Sequence, residues 1–332
     1  MKKALHIYAV NGKTNSGDFF LGPATKHRFE AMIDDTIEWS NFNVRTLVTE
    51  KEISLFNEYD YIVIGGGGLF LPDTNPNMVS CWQWACPVEL MKKITSKVFV
   101  VGIGWNHFYG QDITMPDRNS NQSIPQRLEI FKKNIETLIE ISQSFTMRHK
   151  GDVREIKKII DPSFHNKVEF DFCPVIGYIE EKYKKDFKSG NLITFEIKDD
   201  RPNRRYFKKN RNDFYIELLY YIKQLILSGE KIAVMSHDGS VSFARFLQSQ
   251  KIPFILLNNT IANQDKIIEN YSMVKKLFCT AGHSQMTAYA LGLDFYSLIN
   301  HDKLQFFLED TGMLKEDRFC LINEHSLIER LI

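Results

Sequence analysis

Short polar and glycine-rich clusters follow one apolar run after another in this chain, and they are the residues that could do chemistry. NSGD (Asn15, Ser16, Gly17, Asp18) follows ALHIYAV (4–10). Its backbone N–H groups could receive an anion or a sugar hydroxyl, or it is an ordinary turn into a helix. Four consecutive glycines, Gly65, Gly66, Gly67 and Gly68, follow YIVI (61–64). Glycine runs cost backbone entropy, so either a ligand lies against bare backbone here or the chain makes a tight turn. GIGWNHF (102–108) sets Gly104 beside Trp105, Asn106 and His107, an aromatic ring among polar groups that suits a sugar face or simple packing.

Cations and histidines occupy comparable places. Arg148 ends SFTMR and is either an anion anchor or an ion-pair partner of Asp152 or Glu155. EIKDDRPNRRYFKKNR (196–211) carries Lys198, Arg201, Arg204, Arg205, Lys208, Lys209 and Arg211 against Glu196, Asp199 and Asp200. Such a loop clamps phosphate or carboxylate groups, or is simply solvated. SHDGS (236–240) offers His237 and Asp238. In TAGHSQMTAYALG (280–292), His283 and Ser284 sit between a strand and a helix. A histidine there can donate a proton, bind phosphate, cap the helix or fill the core.

These clusters need elements that bring them together. Strand-like runs are expected at 4–10, 44–49, 61–65, 97–104, 144–149 and 168–176, then at 191–197, 231–237, 252–258, 276–282 and 294–299. Between them lie helical patterns at 26–39, 87–94, 126–142 and 151–160, then at 213–229, 241–250, 264–274, 284–292 and 326–332, with apolar residues three and four apart. Apolar runs alternating with helices predict parallel sheets covered on both faces. The expected fold is therefore α/β, two Rossmann-like doubly wound domains. The first spans 1–178, the charged stretch 179–190 is a linker or an exposed surface helix with a loop, and the second spans 191–332. In such sheets ligands bind at the carboxyl ends of the strands, where the clusters stand.

Bulk composition narrows the function. The 332 residues are 43% hydrophobic and 25% charged, with a formal net charge of +1. That balance argues against nucleic acid as a partner, so any anion must be held by a local patch. The five cysteines (81, 86, 173, 279 and 320) are odd in number and scattered, which suits reduced thiols in a cytosol and makes a poor zinc site. No apolar run approaches a membrane span. GGGGLF is not a dinucleotide fingerprint, so NAD chemistry is a distant reading.

In order along the chain, NSGD (15–18), IGGGGLF (64–70), VGIGW (101–105), FTMRHKGDVREIK (145–157), DFCP (171–174), MSHDGS (235–240) and AGHSQMTAYALG (281–292) resemble the polysaccharide pyruvyl transferase family over nearly the whole length. The resemblance implies a GT-B-like pair of Rossmann-type domains facing a cleft. It implies transfer of a pyruvyl group from phosphoenolpyruvate, as co-substrate, to a sugar of a bacterial surface polysaccharide, the acceptor being free or lipid-linked. It places acceptor binding in the first domain and donor binding in the second. His283 becomes the acid or phosphate binder, with Ser284 beside it. Arg148 and the basic loop anchor the donor, while Asp18 and the glycine run line the acceptor side. The family has arginine two residues before its C-terminal histidine; here Ala281 stands there, so the anchor passes to Arg201, Arg204 or Arg205. The family also has aspartate where His149 follows Arg148. No metal or other cofactor is implied. A cytoplasmic protein, peripheral at the inner membrane or free, is expected, and a homo-oligomer is compatible with it. Two alternatives keep their place: a GT-B glycosyltransferase using a nucleotide sugar, and a non-catalytic glycan-binding relative.

Overall fold

Strands and helices alternate throughout the computed structural model, which describes residues 1–9, 16–72, 75, 77–113, 123–261 and 263–331. Two units emerge. The first comprises 1–10 and 21–174, the second 11–20 and 175–332. Residues 11–20 therefore group with the second unit, and the chain passes from the first unit to the second after Pro174.

The first unit holds β1 (Lys2–Tyr8), most of α1 (Ser16–Glu30), β2 (Ile37–Asn43), α2 (Glu50–Phe56), β3 (Tyr61–Phe70), α3 (Val88–Met91), β4 (Lys97–Trp105), α4 (Ile124–Ile141), β5 (Ser142–Met147), α5 (Lys150–Lys157) and β6 (Val168–Phe170). Its sheet order is β2-β1-β3-β4-β5-β6, with neighbours parallel. The buried residues of β1, β3 and β4 are apolar or glycine, His6 of β1 excepted, because helices cover both faces. The start of α4 is fixed by a capping box, Ser123 with Gln126.

The second unit holds α6 (Pro174–Tyr183), β7 (Leu192–Glu196), α7 (Pro202–Arg205), α8 (Arg211–Leu227), β8 (Lys231–Ser236), α9 (Ser242–Ser249), β9 (Ile255–Asn258), α10 (Gln264–Ser272), β10 (Val274–Cys279), α11 (Gly282–Leu291), β11 (Asp294–Ile299), α12 (Asp302–Thr311), β12 (Phe319–Leu321) and α13 (Leu327–Leu331). Its parallel sheet runs β12-β11-β10-β7-β8-β9. The chain moves one way from β7 to β8 and the other way from β7 to β10. That reversal makes the carboxyl ends of β7 and β10 the switch point, where a doubly wound sheet opens a crevice.

Two Rossmann-like units are thus present, as expected from the alternation. Two local expectations need correction, and one open choice is decided. VRTLVT (44–49) is not a strand; the strand is IEWSNFN, an edge strand whose half-exposed residues carry no apolar run. The helix expected at 26–39 begins at Ser16, runs through Pro23 and ends at Glu30. Residues 179–190 begin inside α6 and continue into a 3-10 turn over Lys184–Asp186, so the charges lie on a surface helix.

Candidate functional site

The glycine run stands inside β3, not beyond it, and the chain fills the space around it. A Cβ on Gly65 would lie on the Val101 carbonyl oxygen of β4. One on Gly66, which has φ +82°, would stand 2.7 Å from Thr25 Oγ1, and one on Gly67 3.0 Å from Leu21 Cδ1. A Cβ on Gly68 would meet Asn106 at 2.8 Å, and one on Gly104 would fall within the Arg148 guanidinium. These glycines let β4, α1 and Arg148 close on the strand, which corrects the expectation of backbone open to a ligand. Trp105 is likewise a packing residue: its ring is 3% exposed and meets Phe131 edge to face. Arg148 is 1% exposed, with Nε 3.7 Å from Asp152 Oδ2, so the ion-pair alternative is the one observed.

A different set converges in the second unit. Asn15 lies outside the described residues, but Ser16 and Gly17 do not stay with the glycine run. The Ser16 N–H donates to the His237 carbonyl at 2.9 Å, and Ser16 Oγ lies 2.7 Å from His237 Nδ1. Ser284 Oγ stands 3.0 Å from the same nitrogen. A Cβ on Gly17 would meet His283 Cβ at 2.7 Å and overlap its ring, so glycine is what lets His283 lie there. Asp18 is half-buried in the first turn of α1, next to this contact. Ser16 and Gly17, His237, and His283 and Ser284, far apart in the chain, therefore meet in one place.

The switch point supplies the charge. Glu196 ends β7 and is 1% exposed. Its Oε2 accepts from the Ala281 N–H at 2.9 Å and the Thr280 N–H at 3.2 Å, at the start of α11. The Lys198 N–H donates to Thr280 Oγ1, and Lys198 Nζ lies 3.4 Å from Asp238 Oδ2 and 3.7 Å from Asp200 Oδ1. Arg205 turns inward: its Nε bonds the Asp200 carboxylate at 3.0 Å and its Nη1 bonds Asn300 Oδ1 at 3.1 Å. Lys303 lays its stem against Gly282, 3.2 Å from where a Cβ would be.

Electrostatics agrees with this placement. Burial pushes the Asp200 carboxyl up, but Arg205, Lys198 and Arg201 outweigh it and hold the group well below the usual carboxylate range. Burial, then Lys198 and Lys303, drives His237 well below its ordinary value. Burial, Lys303, Arg205, Arg201 and Lys198 do the same to His301. Both rings are neutral at neutral pH. Burial, reinforced by the charge of Asp238 and opposed by Lys198, pushes Glu196 up to about 7. Burial, helped by the cations, suppresses two histidines here, and burial also holds a carboxyl at the edge of protonation.

Of Arg201, Arg204 and Arg205, Arg205 is the one whose charge acts on Glu196, His237 and His301 together. Arg201 holds a left-handed backbone (φ 53°) at the head of α7 and pairs with Asp200. Arg204 is half-buried on the same short helix. Farther along the basic loop, Lys209 pairs with Glu217 and Arg211 with Asp199, so those cations are already compensated. Glu196, Asn300, His301 and Lys303 were not singled out from the sequence as site residues. NHDK (300–303) follows the apolar strand DFYSLI just as the other clusters follow theirs, and that signal was available.

No protein-family profile matches this chain. No curated protein matches it. Solved structures do. The UDP-GlcNAc 2-epimerase of Neisseria meningitidis, bound to UDP-GlcNAc, aligns over 99% of this chain and 89% of its own, at TM-score 0.51 and 11% identity. S. aureus MnaA with UDP aligns over 100% and 86%, at 0.55 and 9%. The UDP-GlcNAc 2-epimerase of Methanocaldococcus jannaschii, with UDP-GlcNAc and UDP, aligns over 100% and 92%, at 0.51 and 11%. At these identities the likeness is one of fold. Among the described residues no helix is long and apolar enough to cross a membrane.

Proposed function

We propose that this chain is a transferase that seats a phosphorylated donor at the β7/β10 switch point of the second unit and passes the donor's group to a sugar hydroxyl, with a nucleotide sugar as the donor. The observation that carries this is the gathering of Lys198, Arg205 and Lys303 around two buried neutral histidines, His237 after β8 against Ser284 of α11 and His301 at the head of α12. When such a donor reacts, a carbon–oxygen bond to phosphate breaks and the departing oxygen gains negative charge. Fixed cations and helix N-termini aimed at that oxygen stabilise the charge as it develops. Neutral imidazoles add hydrogen-bonding atoms without further charge. His283, bordering the same site, suits proton transfer with the acceptor hydroxyl. The UDP and UDP-GlcNAc bound to proteins of similar fold make a nucleotide sugar the first donor to try.

A second donor fits one specific observation. The NSGD, SHDGS and AGHS stretches, on which the resemblance to pyruvyl transferases partly rests, come together here through Ser16, Gly17, His237, His283 and Ser284. With phosphoenolpyruvate, C3 takes a proton, a sugar hydroxyl adds at C2, and the C2–O bond to phosphate breaks. A second hydroxyl of the same sugar then closes a cyclic ketal, and the two hydroxyl protons are released. Arg148 does not serve this donor as the resemblance implies, because its guanidinium is enclosed beside Asp152.

Calorimetric titration of the purified chain with UDP, UDP-GlcNAc and phosphoenolpyruvate separates these donors. Saturable binding of UDP or UDP-GlcNAc is expected, weakened at least about tenfold, ~1.4 kcal/mol, by Lys198→Gln. Binding of phosphoenolpyruvate alone would move the protein to pyruvyl transfer. Silence from all three, with a glycan still bound, would leave a binding protein without a donor and end the transferase proposal.

A further inference from the structure

Glu196 is an odd residue to find under a cationic site. It is 1% exposed at the end of β7, one oxygen bonds the Thr280 and Ala281 N–H groups, and Oε1 has no hydrogen-bond partner among the described residues. An ionised carboxylate half satisfied in the interior is costly, and a protonated one much less so. Its surroundings leave the balance close. Lys198 and Arg205 favour the charged form, while Asp238, facing it from beyond β8, and burial oppose it, and the result is an affinity for protons poised at about 7. The thiol of Cys279 on β10 and the phenol of Tyr271 on α10 are both pushed up by burial, so neither ionises near neutrality. His237 and His301 are held neutral over the same range.

We propose that the donor anion enters this site together with a proton, which Glu196 takes up. A phosphate brought to Lys198 and Arg205 adds negative charge beside a carboxylate that those two cations barely hold ionised. Adding like charge disfavours the carboxylate, so proton and anion bind cooperatively. The same proton leaves Glu196 when the anion departs, so donor loading and release depend on pH through one residue. This inference rests on the anion-binding reading above and says how that site is regulated.

Sulfate is the probe, because it mimics phosphate without titrating in the relevant range. The full chain is titrated with sodium sulfate at pH 7 and pH 8, in buffers of different ionisation heat. Proton uptake should approach one per sulfate at pH 8 and be a fraction of one at pH 7. Affinity should fall about fivefold between the two, as expected for a group poised near 7 and strongly coupled to the anion. Glu196→Gln keeps an amide oxygen for the Thr280 and Ala281 N–H groups and cannot titrate. It should bind sulfate equally at both pH values, and more tightly than the native chain at pH 8. His283 is common to both proteins, so the difference belongs to position 196. An infrared band of a protonated carboxyl should grow when sulfate is added to the native chain and be missing from the variant. Buffer-independent heats in the native chain, or pH dependence that survives Glu196→Gln, would overturn the coupling while leaving the anion site intact. Failure of both proteins to bind sulfate would instead overturn the anion site, and the coupling with it.

Discussion

At Gly17 one methyl group decides the geometry of the site. The hydrogen that glycine carries leaves just enough room for His283, and Ser16 on one side is tied to His237 through both its backbone and its hydroxyl. Gly17→Ala must push the imidazole or the start of α1 aside, at about 1–3 kcal/mol of stability, as in other overpacked positions. Donor affinity should fall with it, by tenfold or more. The cause can be isolated with a double-mutant cycle. In a His283→Ala background the clash is gone, so Gly17→Ala should cost almost nothing in urea unfolding followed by circular dichroism. An equal cost in both backgrounds would mean that Gly17 matters for some reason other than this contact. Ser16 and His237 are 221 positions apart, and nothing local in either stretch announces the partnership. The sequence marks both as polar strand-end residues, but pairing depends on where the segment before α1 packs.

β3 shows how an element can use the same residue type for a purpose opposite to the one its composition suggests. Gly65 accepts a hydrogen bond from His6 Nε2 at 3.1 Å through its carbonyl, while its missing side chain admits Val101. Gly66 has φ +82° and faces Thr25. A valine at 66 meets both a strained backbone and a neighbour that cannot retreat, so Gly66→Val should cost about 3 kcal/mol or more. The expected outcome is a protein that unfolds at much lower urea or fails to fold. A variant as stable as the native chain that merely stops binding ligand would return these glycines to the site. Buried parallel strands such as YIVIG and KIAVMS were legible because helices on both faces demand apolar residues on both sides. Helices α4 and α8 were legible from their periodicity. The edge strand β2 was not, because half-exposed IEWSNFN has no such demand, and α1 was obscured by two glycines and Pro23 that read as breakers. For the candidate site, the rule that chemistry stands at strand ends pointed to His237, His283 and Arg205 before any contact was visible. It missed Glu196 because a strand's last residue reads as part of the strand. That Gly65–Gly68 serve packing could not be read from composition, since an open backbone and a closely packed one both require glycine.

At the scale of the whole molecule, the buried ionisable groups set how stability responds to acid. His6 in the first unit is driven down to about 3 by burial, while its bond to the Gly65 carbonyl and the charge of Lys26 have smaller effects. His237 and His301 in the second unit are also depressed. Below about 6.5 the unfolded chain protonates these three rings and the folded chain does not. Unfolding then takes up protons, so their contribution to stability is present above that pH and is lost as pH falls toward the folded values. Glu196 acts with the opposite sign: its folded carboxyl keeps its proton up to about 7, so it favours the folded state more as pH falls from 7 toward 4.5. Near pH 5.5 the first unit, with His6, takes up about one proton on unfolding, and the second, where two histidines oppose one carboxyl, also takes up about one, a slope of about 1.4 kcal/mol per pH unit for each. Urea midpoints should therefore fall steadily between pH 6.5 and 5. The four tryptophans, at 39, 82, 84 and 105, all lie in the first unit, so their fluorescence follows that unit while circular dichroism follows both. Glu196→Gln removes the opposing carboxyl from the second unit alone. It should steepen the acid loss seen by circular dichroism and leave the tryptophan-reported midpoints where they were. A variant whose two signals respond to acid as the native chain's do would show that Glu196 is ionised in the folded protein across this range, and that the cations beside it outweigh its burial.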